Sequence, residues 1–122
     1  MARLLVVDDD EADRIVLRTI LERASHEVWV AKDGAEALSQ FQGNDIEVVI
    51  TDLQMTNVHG LELITVLREL SPRPGIIAIS ATGEAQLDMA RLLGASHTLQ
   101  KPVRPDLLLS AVADLSRGTA EV

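Results

Sequence analysis

The sequence has no cysteine and no tyrosine, one phenylalanine and one tryptophan. Without thiols there can be no disulfide, no thiolate metal site and no cysteine nucleophile. At 2% aromatic content, the usual platforms for stacking single-stranded bases are missing. Positive charge is also scarce: 11 Lys+Arg stand against 19 Asp+Glu, a formal net charge of −8. That balance argues against an electrostatic grip on nucleic acid or an anionic membrane. Before Asp8 the N-terminus offers only the apolar run 4–7, too short for a signal h-region, and no later run approaches the ~20 residues that span a bilayer. The seven glycines form neither a G-x-G-x-x-G nor a P-loop pattern, which leaves nucleotide binding without support. These absences point to a cytoplasmic chain that binds neither nucleic acid nor membrane.

What is present is a regular alternation. The chain of 122 residues is 47% hydrophobic and 25% charged, values of one ordinary globular domain. Short apolar runs at 4–7, 27–31, 46–51, 76–79 and 98–99 alternate with helical patterns. The first helix is expected to turn Ala12, Ile15, Val16, Thr19 and Ile20 inward. The second opens on Asp33 as N-cap with Glu36 three residues later and runs through Phe41, with Gly43-Asn44 as its stop. A third spans 61–70, a fourth 84–93 up to Gly94, and a last begins on Pro105 with Leu108, Ala111, Val112 and Leu115 inward. Five strands each followed by a helix imply a parallel sheet joined by right-handed crossovers, a doubly wound α/β sandwich. Residues 1–117 are expected to form this domain and 118–122 a frayed tail or linker stub. Trp29 reads as a packing residue, and His26, His59 and His97 as surface residues without metal-ligand spacing.

In such sheets ligands bind beyond the carboxyl ends of the strands. Asp8, Asp9 and Asp10 follow the first run, Asp52 the third, Ser80 the fourth and Lys101 the fifth. A lone aspartate there is commonly a helix cap, and Asp10 or Glu11 can have that task alone. Successive carboxylates repel one another unless a cation offsets them. With Asp52 opposite, a hard divalent ion held by oxygen ligands fits, Mg²⁺ above others. Lys101 is one of two lysines beside nine arginines. A carboxylate can attack phosphorus when cations neutralise the phosphoryl oxygens. Mg²⁺ would bridge Asp52 and the phosphoryl group, with Lys101 pairing one oxygen and Ser80 donating to another. The product would be an acyl phosphate on Asp52.

The ordered combination of Leu-Leu-Val-Val-Asp-Asp-Asp, Val-Val-Ile-Thr-Asp-Leu-Gln-Met, Ile-Ala-Ile-Ser-Ala and Gly-Ala-Ser…Lys-Pro resembles the receiver domain of bacterial two-component response regulators, over about residues 3–116. The resemblance implies a flavodoxin-like strand order 2-1-3-4-5 in a three-layer sandwich. It also implies Asp52 as phosphoacceptor, Asp9 as direct Mg²⁺ ligand, Asp8 acting through water, and Gln54 lending a backbone carbonyl. Ser80 takes the switch position and Lys101 that of the family's lysine, while Gln54 and Thr82 flank the path of attacking water. Implied donors are a sensor histidine kinase, a histidine phosphotransfer protein or a small acyl phosphate. Output would pass through residues 84–116 to an effector protein or fused output domain. Such a domain catalyses only its own phosphorylation and autodephosphorylation.

Three positions depart from the family pattern. Thr98 stands where an aromatic switch partner is usual, Thr56 where proline is common, and His59-Gly60 where Asp-Gly is common. A haloacid-dehalogenase-type phosphatase also uses a D-x-D, a hydroxyl and a lysine in this order. Here Ala12 replaces its usual Thr or Val, and no later strand ends in an acidic pair. A receiver-like scaffold that binds partners without phosphorylation is the other alternative, opposed by the intact Asp8, Asp9, Asp52 and Lys101.

Overall fold

A computed structural model describes residues 1–54, 60–81 and 83–116 of the chain. In chain order the elements are β1 (Arg3–Val7), α1 (Glu11–Arg23), β2 (Glu27–Ala31), α2 (Gly34–Asn44), β3 (Val48–Asp52), α3 (Gly60–Leu67), β4 (Gly75–Ser80), α4 (Glu84–Leu93), β5 (His97–Gln100) and α5 (Pro105–Leu115). The strands form one parallel sheet in the order β2-β1-β3-β4-β5. This is the doubly wound α/β sandwich that the alternation implied.

Strand side chains alternate between the two faces of a sheet, and here each face has its own core. Leu5, Val7, Val49, Ile76 and Ala78 meet Ala37 of α2, Leu63, Ile64 and Leu67 of α3, and Leu87 and Ala90 of α4. Leu4, Val6, Val48, Ile50, Ile77 and Ile79 meet Leu17 and Leu21 of α1 and Leu108, Ala111 and Val112 of α5. The chain steps from β1 outward to β2, then back across β1 to β3, β4 and β5. Right-handed crossovers therefore put α1 on the face opposite α2, α3 and α4. Strand β2 is an edge, and Val28, Trp29 and Val30 are only half-buried there. Trp29 packs against the core under the Arg3 guanidinium, 4.7 Å from its ring centroid.

Several helix ends follow their local chemistry. Asp33 accepts the Glu36 amide at 2.9 Å, and the Glu36 carboxylate accepts the Lys32 amide at 3.0 Å. Gly94 closes α4 at a φ of 132°, its amide donating to Ala90 O, a geometry open to glycine. Other boundaries differ from expectation. Helix α2 runs through Gly43 to Asn44 and is capped by Asp45, which takes a left-handed φ of 50°. Strand β3 starts only at Val48 and includes Asp52. Helix α3 begins at Gly60 and ends at Leu67, with turn bonds beyond. Among the described residues no helix is long and apolar enough to cross a membrane.

Of the expected inner face of α1 only Ile20 packs against the core, half-buried; the other four positions do not. Leu17 and Leu21 are its buried residues, whereas Ile15 and Val16 are 57% and 55% exposed and Ala12 and Thr19 do not reach the core. At 3.6 residues per turn, the helix sits about a third of a turn from the expected setting. Its apolar residues span about two thirds of the circumference, so the spacing admitted two stripes. The sheet selects the one whose leucines reach the core.

Candidate functional site

The carboxyl edge of the sheet is assembled by strand register. Strand β1 delivers Asp8, whose amide continues the ladder to Ala31 O at 3.1 Å. Arg14 of α1 holds the Asp8 carbonyl at 2.8 Å, and the Asp10 amide donates to Asp8 Oδ1 at 3.0 Å. Asp10 in turn caps α1, accepting the Asp13 amide at 3.0 Å; it has the capping task allowed for it. Strand β3 ends in Asp52, whose Oδ1 accepts the Gln54 amide at 3.1 Å. Strand β4 ends in fully buried Ser80, and its carbonyl accepts the Lys101 amide at 3.0 Å. Lys101 is thus brought back over the sheet edge.

Asp8, Asp9 and Asp52 each offer a carboxylate oxygen, and these atoms lie within 4.8 Å of one another. Asp8 and Asp52 are buried and Asp9 is exposed. Lys101 Nζ donates to Asp13 Oδ2 at 2.7 Å, Asp8 Oδ2 at 3.1 Å and Asp52 Oδ2 at 3.4 Å. Burial pushes the Asp8 carboxyl up to about 6. The Asp10 amide opposes that rise, the Asp52 charge adds to it, and Lys101 reduces it. Burial alone would lower the Lys101 pKa, but its bonds to Asp13 and Asp8 and the charges of Asp8 and Asp52 lift it above its ordinary value. An all-oxygen, acid-rich donor set beside one ammonium suits a hard divalent cation and an anionic group together.

Thr98 lies apart from this cluster. It pairs with Ala78 in register, short of the strand end, and its hydroxyl accepts Arg91 Nη2 of α4 at 2.6 Å. Asp88 holds the other arm of that arginine at 2.6 Å. His97 faces Asp114 at 2.7 Å, and His26 Nδ1 accepts the Ala2 amide at 3.0 Å; neither is a free surface ring. Met55, Thr56, His59, Thr82 and the tail 118–122 lie outside the described residues.

Two residues of the site have contacts that the sequence did not reveal, although Gly60 was visible as the family's glycine. Asp13 makes the shortest contact to Lys101, and its signal was the i, i+4 series Asp13, Leu17, Leu21 on the buried stripe of α1. Gly60 brings α3 against β3: a Cβ there would lie 2.3 Å from Asp52 O and 2.6 Å from Leu53 Cα.

The family model for the response regulator receiver domain matches residues 4–113. The sensory/regulatory protein RpfC of Xanthomonas campestris pv. campestris is 34% identical over 126 residues, covering 98% of this chain and 17% of that protein. Response regulator MprA of a Mycobacterium species is 35% identical over 119 residues, 97% of this chain and 52% of that protein. The chain therefore spans about half or less of these curated relatives. Among solved structures, the chemotaxis response regulator CheY4 of Vibrio cholerae superposes with a TM-score of 0.85 at 30% identity, over 94% of this chain and 98% of that one. A response regulator structure from Chloroflexus aurantiacus gives 0.88 at 29% identity, over 93% and 96% of the two chains. With matching fold and family model, the chain belongs to the response regulator receiver domains of two-component signalling.

Proposed function

We propose that this domain accepts a phosphoryl group on Asp52 and passes the change on by protein–protein contact. The observation that carries this reading is the buried Asp52 carboxylate, 3.4 Å from Lys101 Nζ and grouped with the Asp8 and Asp9 carboxylates. Mg²⁺ would be held by Asp8, Asp9 and Asp52, with the Gln54 carbonyl as a further ligand. When bound it supplies the charge neutralisation that lets one anion approach another.

An Asp52 carboxylate oxygen forms a bond to phosphorus while phosphorus loses its bond to the donor. The leaving atom is the imidazole nitrogen of a phosphohistidine or the carboxylate oxygen of an acyl phosphate. Lys101 pairs with one phosphoryl oxygen and the Ser80 hydroxyl donates to another, so the residues position and neutralise. The acyl phosphate changes the local charge by about −1. Ser80 and Thr98 then act as switch positions, and the surface of α4, β5 and α5 carries the output. In this chain Thr98 would act through a hydroxyl tied to Arg91, not through a swinging ring.

The donor is a sensor histidine kinase or a histidine phosphotransfer protein, and the recipient an effector protein or fused output domain. Residues 1–117 carry the unit. It works in the cytoplasm, touches neither nucleic acid nor membrane itself, and catalyses only its own phosphorylation and autodephosphorylation.

The test is intact mass after incubation with acetyl phosphate, with and without Mg²⁺, for the wild type and Asp52→Asn. A Mg²⁺-dependent gain of about 80 Da, one phosphoryl group, absent from the variant, is expected. No adduct after fast quenching, together with no binding of beryllofluoride, would instead favour a scaffold that works unphosphorylated.

A further inference from the structure

The shortest contact of Lys101 is to a residue outside the acid group of the proposed phosphoryl site. Its ammonium lies 2.7 Å from Asp13 Oδ2, nearer than to Asp8 at 3.1 Å or to Asp52 at 3.4 Å. Asp13 is not loosely placed. Its amide is bound by Asp10 Oδ1 at 3.0 Å, and the Asp10 amide is bound by Asp8 Oδ1 at 3.0 Å. The first turn of α1 is thereby tied through side chains to the end of β1. Arg14, next in the helix, clamps the Asp8 carbonyl at 2.8 Å. On the other side, the Lys101 backbone is bonded to Ser80 O at 3.0 Å. Both partners of the Asp13–Lys101 pair are therefore anchored through their own backbones, which leaves the lysine side chain to shift between acids.

Asp13 is also the most open of the three acids. Its side chain is 44% exposed, against 1% for Asp8 and 7% for Asp52. It stands with Lys101, Val16, Leu17, Pro102 and Val103 around a cavity of about 480 Å³. The ammonium is thus drawn toward this open side, away from the buried acid that would carry the phosphoryl group.

We propose that Asp13 is a positioning residue, the resting partner of Lys101, and that it competes with a phosphoryl oxygen for the lysine ammonium. This rests on the reading of Asp52 as phosphoacceptor. In the resting protein Asp13 holds the ammonium; once a phosphoryl oxygen is on Asp52, Lys101 must surrender that contact to reach it. Occupancy of the phosphorylated state is therefore lower than the remaining site residues would set, and removal of the Asp13 charge raises it. Asp13→Asn retains the size of the side chain while removing its charge.

Two measurements test this. The first needs no phosphoryl chemistry: denaturant unfolding of the metal-free wild type, Asp13→Asn, Lys101→Met and the double variant. Asp13→Asn should lower the unfolding midpoint with Lys101 present, and leave it unchanged or raise it in the Lys101→Met background. Equal effects in both backgrounds would sink the pairing. The second is beryllofluoride titration with Mg²⁺, followed by ¹⁹F NMR. Half-saturation should fall roughly two- to fivefold in Asp13→Asn, the range a half-exposed ion pair commands, with no such fall in the Lys101→Met background. An unchanged or higher half-saturation in Asp13→Asn would overturn the competition. If the wild type binds no beryllofluoride and gains no phosphoryl mass, the Asp52 reading fails and the competition with it, while the unfolding cycle still decides the pairing.

Discussion

Gly60 and Asp52 are in backbone contact: a Cβ on Gly60 would lie 2.3 Å from the Asp52 carbonyl oxygen. The start of α3 thus rests directly on the end of β3, at the residue proposed to take the phosphoryl group. Both nearest atoms are main chain, so no side-chain rotation can make room. Gly60→Ala is expected to cost about 1–3 kcal/mol, as overpacking does, and to displace Asp52. Denaturant unfolding should show the loss, and acetyl phosphate labelling should slow in the folded fraction.

On α1 the two candidate stripes give opposite expectations. Leu17 is 4% exposed and Ile15 57%. Leu17→Ala should cost about 2–5 kcal/mol, a buried-leucine cavity. Ile15→Ala should cost less than about 1 kcal/mol, as surface changes do. Paired unfolding curves check the setting of the helix, and the reverse order would restore the face expected from sequence.

Asp8 makes stability depend on pH in a definite direction. Its carboxyl titrates at about pH 6 in the fold, against an ordinary 3.8, so the folded protein binds the proton more tightly than the unfolded chain. The Asp8 contribution is then fully present below about pH 4 and is lost as pH rises through about 6. Subtracting the unfolding free energy of Asp8→Asn from that of the metal-free wild type across pH 4–8 isolates it. A difference that grows in favour of the wild type with rising pH would contradict the sign.

Arg91 joins α4 to the Thr98 hydroxyl at 2.6 Å, yet its side chain is 55% exposed and its partners, Asp88 and Thr98, stand outside the acid cluster. Arg91→Ala should cost no more than about 1 kcal/mol, as exposed polar pairs do. Under the proposed function, its rate of labelling by acetyl phosphate should stay within about twofold of wild type, a change under ~0.5 kcal/mol in barrier. A larger fall would tie the α4–β5 surface to the chemistry itself.

Much of this domain was determined by sequence alone. Apolar runs covered on both sides dictate parallel strands, and parallel strands require helical crossovers of one hand. Asp8, Asp9, Asp52, Ser80 and Lys101 were legible because each stands just after or at the end of a run, where register brings strand ends to one edge. Asp33 and Pro105 marked helix starts by chemistry confined to one turn. The tertiary structure decided what depends on two elements meeting. Helix α1 carries apolar residues over about two thirds of its circumference, and only packing against the sheet picks Leu17 and Leu21 over Ile15 and Val16. That same rotation points Asp13 at Lys101, 88 positions away in the chain, so one ambiguity hid both the face and the acid. The contact of Gly60 was hidden for a related reason. A glycine's need for space lies in the backbone it approaches, and periodicity within its own helix carries no record of that neighbour.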